Sequence, residues 1–375
     1  MTDGEKQAEA KKPPVKIIKS VQMDLFSQFT SNNLNEVSNT VEYWECIPKY
    51  FISIQEQEKL RTEEGLAKPF EHEYKLKNKE GRELSYKVEI QPALIKDTNG
   101  KYKAFFPTKT EETIEEVLKK IFTKQDYGIH DHKKLESWVR FSYSMIRREL
   151  YQISPPKKSK KTEEIEQELE ENIDHTTTKK RGNRLRYDQI KHSLEVMSKC
   201  VLTVYEGGKE IYRGAILQDY CSVDRRKYED DTNALHIARL PLFISHAINA
   251  LQYRQFNYVR FMECKEQLTR FLYKRLINRF IHANYMNDYH FMYSDIKQSS
   301  GLLRQSVERN NRKKVLSSLD ELKTNNVILS YKAEERKKGS TITDVKYTII
   351  AHPNFISEQK AANKRANVQQ IETKK

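Results

Sequence analysis

Apolar and polar positions change their spacing along the chain, and the spacing predicts where strands and helices lie. From about Pro69 apolar residues recur at every second position, which is typical of half-buried strands. The predicted strands are Tyr74–Lys77, Leu84–Ile90 and Lys101–Phe105. Turn sequences that contain glycine separate them, at 78–81 and 97–100. This stretch therefore predicts a small β-meander.

A helical spacing begins at Thr110, and the apolar residues that follow fall on one face. These residues are Ile114, Val117, Leu118 and Ile121. The stretch 133–151 also fits a helix, because two prolines at 155–156 end it and its apolar positions share one side. Its inward positions are Leu135, Trp138, Val139, Ser142, Ile146 and Leu150.

In the second half of the sequence, predicted helices are followed by predicted strands. A helix that begins at Tyr187 leads into two strands joined by a Gly207-Gly208 turn. The last third predicts three helices and then two strands that a basic loop connects. These elements are 265–283, Tyr293–Ser300, Ser306–Thr324, Val327–Tyr331 and Thr343–Ile350, with the loop at 332–340.

The order helix, turn, helix, hairpin occurs twice, at about 110–217 and 265–352, and it is the order of a winged helix. We therefore predict an α+β fold with two tandem winged-helix domains, preceded by a small β-rich N-terminal segment and flanked by disordered tails. The predicted divisions are a tail at 1–35, a β-rich segment at 36–109, a first winged-helix domain at 110–255 with a charged insertion at 155–183, a second, DNA-binding winged-helix domain at 256–356, and a tail at 357–375.

The net charge indicates what kind of ligand a protein with this predicted fold binds. The chain carries 67 Lys and Arg residues against 53 Asp and Glu residues, a net charge of +14. From Leu251 to Lys375 there are 24 basic and 12 acidic residues, so most of the excess lies in this last third. Such an uneven distribution is typical of a protein that binds a polyanion. It disfavours an enzyme with an acidic substrate and a purely structural protein.

Several classes of protein are disfavoured because the sequence lacks their characteristic features. The four cysteines are widely spaced, which excludes a disulfide scaffold and a CxxC metal site and fits a reducing compartment. No apolar stretch approaches the length of a membrane span, and residues 1–20 lack the apolar core of a signal peptide. We therefore expect a cytoplasmic protein with no membrane partner.

Basic residues cluster at the predicted second helix and hairpin of the C-terminal unit, the elements that contact DNA in a winged helix. The helix candidates suit guanine edges and phosphates: Arg304, Gln305, Arg309, Arg312 and Lys313. The hairpin candidates suit the phosphate backbone: Lys332, Arg336, Lys337 and Lys338. The first unit offers weaker candidates: Arg184, Arg186 and Lys191. Charged helix faces are often merely solvated, so the assignment depends on fold order, helix charge and hairpin charge together.

Catalytic and metal-binding motifs find little support in the sequence. Gly207-Gly208-Lys209 lacks the spacing of a phosphate-binding Walker loop, and no GxSxG nucleophile motif occurs. His130-Asp131-His132 has the two histidines of a rolling-circle nuclease motif, but that motif places an apolar residue between them. A polar start of a helix is the simpler interpretation. We therefore predict a protein that is not an enzyme, with no catalytic residue, metal or cofactor.

A short motif near the start of the chain resembles the peptide that binds the bacterial sliding clamp. The motif is Gln22-Met23-Asp24-Leu25-Phe26. In such a peptide Leu25 and Phe26 enter an apolar pocket, while Gln22 makes hydrogen bonds at the rim and Asp24 fills the Ser-or-Asp position. The alternative is a hydrophobic patch that docks on the chain's own β-meander.

Several blocks of the sequence resemble plasmid replication initiators with two winged-helix domains, the TrfA or RepA type. The resemblance covers about 105–353, and its most distinctive block is Tyr253–Tyr258, with the sequence YRQFNY. The other blocks are 106–121, 187–194, 267–274 and 292–296.

The resemblance implies an initiator that binds repeated origin sites, called iterons, and helps to open the origin without hydrolysing ATP. It also implies double-stranded origin DNA, the host sliding clamp and the replicative helicase as partners. A monomer–dimer equilibrium and a location with the plasmid or nucleoid of a bacterium follow from the same resemblance. Two alternatives stay open: a winged-helix transcriptional regulator and a rolling-circle nicking protein.

Overall fold

A computed structural model describes residues 37–77, 82–96, 99–124, 126–152, 185–222 and 232–372. The sequence predictions that lie outside these residues are the tail at 1–35 with its motif at 22–26, the insertion at 155–183, and Arg184. The described chain combines helices with antiparallel sheets, which confirms the α+β class. Over the same ranges, no helix is both long and apolar enough to cross a lipid bilayer.

Helices and strands alternate along the described chain. The strands are β1 (Val37–Thr40), β2 (Phe70–Lys77), β3 (Glu83–Gln91), β4 (Ala93–Lys96), β5 (Tyr102–Phe105), β6 (Gly128–Asp131), β7 (Glu136–Phe141), β8 (Val201–Glu206), β9 (Lys209–Ala215), β10 (Gln218–Ser222), β11 (His236–Arg239), β12 (Arg254–Asn257), β13 (Asp288–Met292), β14 (Ile328–Lys338) and β15 (Thr341–Ala351). The helices are α1 (Glu42–Glu45), α2 (Ile54–Leu60), α3 (Lys109–Phe122), α4 (Tyr143–Gln152), α5 (Tyr187–Lys199), α6 (Leu242–Asn249), α7 (Tyr258–Glu263), α8 (Gln267–Arg279), α9 (Tyr293–Ser300), α10 (Glu308–Thr324) and α11 (Pro353–Glu372).

Every strand pairing in the described residues is antiparallel. Two sheets have four strands each, in the orders β2-β3-β8-β9 and β10-β11-β7-β6. A three-stranded sheet has the order β13-β15-β14, and two further pairs are β1 with β12 and β4 with β5. Because β1 pairs with β12, the beginning of the described chain is joined to the region between the two predicted domains.

Helix α3 forms as its sequence predicts. Thr108 and Glu111 make a reciprocal capping box at its N-terminus, which satisfies backbone N–H groups that have no partner inside the helix. The four residues predicted for its inner face are all buried: Ile114, Val117, Leu118 and Ile121. Helix α5, which begins at Tyr187 as predicted, and the β8–β9 hairpin with its Gly207-Gly208 turn also confirm their predictions.

The three-stranded β-meander predicted before residue 106 is wrong. β2 and β3 form the expected hairpin, but β3 continues the sheet through β8, and β5 pairs with β4 instead. Pro92 lies between β3 and β4, and a proline supplies no N–H to a strand ladder. Strand β3 therefore ends at Gln91. Because β3 also pairs with β8, this sheet connects the N-terminal segment to the first unit across the boundary predicted at 109.

The helix predicted over 133–151 is wrong in its first half. A β6–β7 hairpin occupies 128–141, and helix α4 begins only at Tyr143. The turn places Leu135 at a φ of 55°, and the residues after it alternate between buried and less buried positions. Val139 and Phe141 face the core in that alternation, so the apolar positions that fitted a helix fit a strand equally well.

The C-terminal elements confirm the predicted helices and extend the strands. The loop predicted at 332–340 is mostly strand, because β14 and β15 are 11 residues each and meet at a turn containing Gly339, whose φ is +63°. The tail predicted to be disordered from 357 is wrong over its described part, since α11 runs from Pro353 to Glu372. Phe355 of α11 is buried, and Arg254 of β12 donates to Gln359 and Asn363 of the same helix.

A cluster of buried charges joins the N-terminal segment to both units. Lys119 Nζ of α3 lies 2.5 Å from the Glu45 carboxylate of α1 and 2.6 Å from that of Glu116. Lys274 Nζ of α8 lies 2.5 Å from Glu45 and 2.6 Å from Glu116. Burial opposes ionisation of Glu45, but Lys119 and Lys274 together hold its pKa well below its usual range. We call these four residues the buried charge cluster.

Candidate nucleic-acid interface

The C-terminal unit follows the order α8, β13, α9, α10, β14 and β15. Helix α10 packs against α8 and β14, and its buried face carries Val315, Leu319 and Leu322. The opposite face of α10 is turned to solvent. The long β14–β15 hairpin begins directly after this helix, and the Tyr331 hydroxyl near its base donates to Asp320 of α10 at 2.8 Å.

The solvent face of α10 is basic over its first half. Arg309 and Lys313 are exposed there, and Arg312 is half-buried. The Glu308 carboxylate accepts hydrogen bonds from Lys297 and Tyr293, and the Lys297 hydrogen bond lowers the pKa of Glu308 below its usual range. A helix N-terminus also carries a partial positive charge. This half of α10 therefore presents a positive surface suited to a polyanion.

Asn310 is a candidate that the sequence prediction missed. It is exposed beside Arg309, and the spacing of three residues puts it near Lys313 on the same side of α10. An asparagine amide can make two hydrogen bonds to an adenine edge in the major groove. Helical spacing alone places Asn310 near Lys313, so the sequence contained enough information to find it.

Arg304 and Gln305 do not lie on the helix where they were predicted. Both belong to the turn between α9 and α10, because α10 begins at Glu308. The Gln305 backbone is tied to the buried Asn311 side chain, with N–H···Oδ1 at 3.0 Å and Nδ2–H···O at 2.8 Å. Arg304 is turned toward the N-terminal segment and pairs with Glu56 at 3.2 Å.

The β14–β15 hairpin carries the predicted basic residues along an exposed arm. From Lys332 to the turn, the arm extends roughly 24 Å at strand spacing. Lys332 pairs with Glu334 at 2.7 Å, Lys337 pairs with Glu335 at 2.9 Å, and Arg336 lies opposite Asp344 in the register. Exposed pairs of this kind cost little to exchange for a phosphate. Lys338 lies opposite Thr341, near the end of the arm.

The first unit does not present a comparable basic surface in its described part. Arg186 caps the start of α5 and pairs with Asp188 at 3.0 Å, and Lys191 is exposed on the first half of the helix. Its β8–β9 hairpin pairs Arg213 with Glu210 at 2.6 Å. Two basic and two acidic side chains balance in this hairpin, so it lacks the excess positive charge of the β14–β15 hairpin.

The histidine pair of the first unit has structural partners. His130 lies on β6 rather than at a helix start, which corrects the prediction. Its Nδ1 lies 2.8 Å from Ser137 Oγ, and its Nε2 lies 3.0 Å from Asn249 Oδ1, which also contacts His132. Across the described ranges, no three His, Cys, Asp or Glu residues are placed to hold a metal ion.

Comparisons with known proteins give 19 matching chains, all of them among the solved structures. No protein-family model matches the chain, and no curated protein matches it. Among the matching solved structures is "Crystal structure of Pi initiator protein in complex with iteron DNA", with a TM-score of 0.36 and 11% identity, covering 58% of this chain and 82% of that one. At this TM-score the similarity decides neither the fold nor the function.

Proposed function

We propose that the chain is a sequence-specific DNA-binding protein that starts replication of a plasmid or integrative element by binding repeated origin sites. The observation that carries the proposal is the basic first half of α10, set beside an exposed basic hairpin of the same unit. Protection mapping on DNA that flanks the chain's own gene tests it, with regularly repeated footprints as the expected result.

The C-terminal unit is proposed to be a winged helix. Its order of elements and its strand order, β13-β15-β14, match a helix-turn-helix followed by a wing. In that arrangement α9 crosses the DNA backbone, α10 enters the major groove and the β14–β15 hairpin is the wing. The first unit combines helices α3, α4 and α5 with the β8–β9 hairpin, and we propose that it serves mainly for dimerisation and partner binding.

In the proposed mechanism, α10 contacts the base edges and the wing contacts the phosphate backbone. Arg309 and Arg312 bind guanine edges, Asn310 binds an adenine edge, and Lys313 binds a phosphate beside the groove. Lys337 and Lys338 of the wing bind the phosphate backbone, which fixes the register of α10 without reading sequence. Binding of several protomers on adjacent repeats offsets the free energy needed to bend and melt an AT-rich duplex nearby.

A wing substitution is expected to weaken DNA binding without changing specificity. Replacing Lys338 by alanine should reduce affinity for specific and random duplexes alike, because a phosphate contact carries no base information. The slope of log K against log salt concentration should fall by about one. Fluorescence titrations at several salt concentrations measure both quantities, with Lys59→Ala of α2 as the control. A loss confined to the specific duplex would contradict the wing assignment.

The proposal includes recruitment of host proteins without catalysis by the chain itself. Replacing Leu25 and Phe26 together by alanine should abolish capture of the bacterial sliding clamp, because these side chains would fill its apolar pocket. Replacing Ile17 and Ile18 by alanine provides a control pair of apolar residues in the same stretch. A pull-down with purified clamp measures the effect. Equal capture by both variants would favour the transcriptional-regulator alternative.

A further inference from the structure

The turn before α10 is held from outside its own unit, by the N-terminal segment. The Arg304 guanidinium lies 5.3 Å from the ring centre of Phe51 and 5.0 Å from that of Phe70. It also pairs with Glu56 of α2 at 3.2 Å. These contacts combine an ion pair with two cation–π contacts on one side chain. We call Arg304, Phe51, Glu56 and Phe70 the Arg304 clasp.

The beginning of the same turn rests on the same surface. Gly301 ends α9 with a φ of +67°, a left-handed conformation that favours glycine. A Cβ atom at Gly301 would come within 3.0 Å of the Phe51 ring and 3.4 Å of His72, so the backbone passes directly over these rings. Helix α9 also packs along β2, which contains Phe70 and His72. Two points of the turn are thus fixed by the N-terminal segment.

The far end of the turn is rigidly connected to α10. The Gln305 backbone donates to and accepts from Asn311, whose side chain is fully buried in the first turn of the helix. A displacement of Arg304 is therefore transmitted through Gln305 to Asn311 and to the neighbouring Arg309, Asn310 and Arg312. The contacts form one physical connection from Phe51 and Phe70 to the residues proposed to read bases.

We propose that Arg304 is a positioning residue, and that the N-terminal segment sets DNA specificity by holding Arg304 and, through it, the first turn of α10. Arg304 makes no contact with DNA in this account, which reverses its assignment from the sequence. The inference rests on the proposed DNA-binding function. The inference also gives the N-terminal segment a task, which is to hold the turn before α10. The segment is itself anchored to the first unit, because its strand β3 shares a sheet with the β8–β9 hairpin.

The test compares Arg304→Ala with two changes on the other side of the clasp, Glu56→Gln and Phe70→Leu. Glu56→Gln is expected to lower affinity for the specific duplex by up to about 5-fold, the upper range for a partly exposed ion pair. Arg304→Ala and Phe70→Leu are expected to lower it by about 3-fold to 30-fold, the range for cation–π contacts. Affinity for random duplex and the salt slope should stay unchanged. Arg304→Lys keeps the charge but not the planar stacking, so it should restore only part of the specificity.

A matched control exists within the N-terminal segment. Arg61 stacks over Phe105 at 4.7 Å and pairs with Glu58, but it holds no part of the C-terminal unit. Arg61→Ala should leave the ratio of specific to random affinity as it is in the wild type. Thermal unfolding of each variant shows whether it remains folded at the temperature of the titrations.

Hydrogen exchange without DNA separates this inference from the proposed function. In Arg304→Ala, Glu56→Gln and Phe70→Leu, backbone amides of 302–313 should exchange faster than in the wild type, whether or not the wild type binds DNA. Unchanged exchange would overturn the inference. So would a salt slope that falls by about one in Arg304→Ala while Glu56→Gln and Phe70→Leu bind normally, because Arg304 would then hold a phosphate.

Discussion

Replacing Arg309 by alanine is expected to lower affinity for the specific DNA site by about 1–3 kcal/mol and to relax specificity at one base pair. Arg312→Ala is expected to do the same at a neighbouring base pair. The reason is geometric: Arg309 is exposed on the first half of α10, and Arg312 lies half-buried at the edge of the face that Val315 and Leu319 bury in the core. A guanidinium can make two hydrogen bonds to the O6 and N7 atoms of guanine, and alanine can make neither.

The measurement is a competition titration against duplexes that carry each single base change. Lys323→Ala is the control, because Lys323 is exposed on the same helix about 20 Å further along its axis. That control should bind like the wild type. If Arg309→Ala weakened every duplex equally, Arg309 would be a phosphate ligand, and base reading would have to be assigned to other side chains of α10.

Replacing Lys119 by alanine is expected to lower the free energy of unfolding by about 3–5 kcal/mol. Lys119 lies in the buried charge cluster, between Glu45 and Glu116, and its own pKa is raised by the carboxylates around it although burial opposes its charge. Removal of this ammonium leaves carboxylates buried with fewer partners. The cluster connects α1, α3 and α8, so the variant should also loosen the junction between the two units.

Urea unfolding at several pH values tests this prediction. The pKa of Glu45 is lowered in the folded state, so its stabilisation is present above the usual Glu pKa of about 4.3 and is lost as pH falls toward the folded value. The difference between wild type and Lys119→Ala should therefore shrink in acid. Lys75→Ala, which breaks the exposed pair with Glu83, is the control and should cost about 1 kcal/mol or less. Equal costs for the two variants would refute the prediction.

The local parts of the fold were predictable from the sequence. The sequence of helix α3 contains a capping box and one apolar face, and the Gly207-Gly208 turn identifies the β8–β9 hairpin. The β6–β7 hairpin was missed because a short apolar stretch fits a strand and a helix equally well. Helix α11 was missed because its stripe of buried residues is narrow and the rest of its surface is polar.

The candidate site was predictable only in part, since its arrangement depends on distant contacts. The basic first half of α10 follows from charge and spacing alone. The position of Arg304 does not, because Phe51, Glu56 and Phe70 lie more than 230 residues earlier in the chain. The pairing of β3 with β8 joins residues that are 110 to 120 positions apart, and the spacing of apolar residues within one strand does not identify its partner strand.

Protection mapping with the full chain on DNA that flanks its own gene tests the central claim most directly. We expect several protected stretches of the same sequence, spaced by whole helical turns of about 10.5 base pairs, and we expect them to disappear together in the Arg309→Ala, Arg312→Ala double variant. Protection of a single operator site would assign the chain to the transcriptional regulators. Uniform protection along the duplex, or none, would contradict sequence-specific recognition by α10.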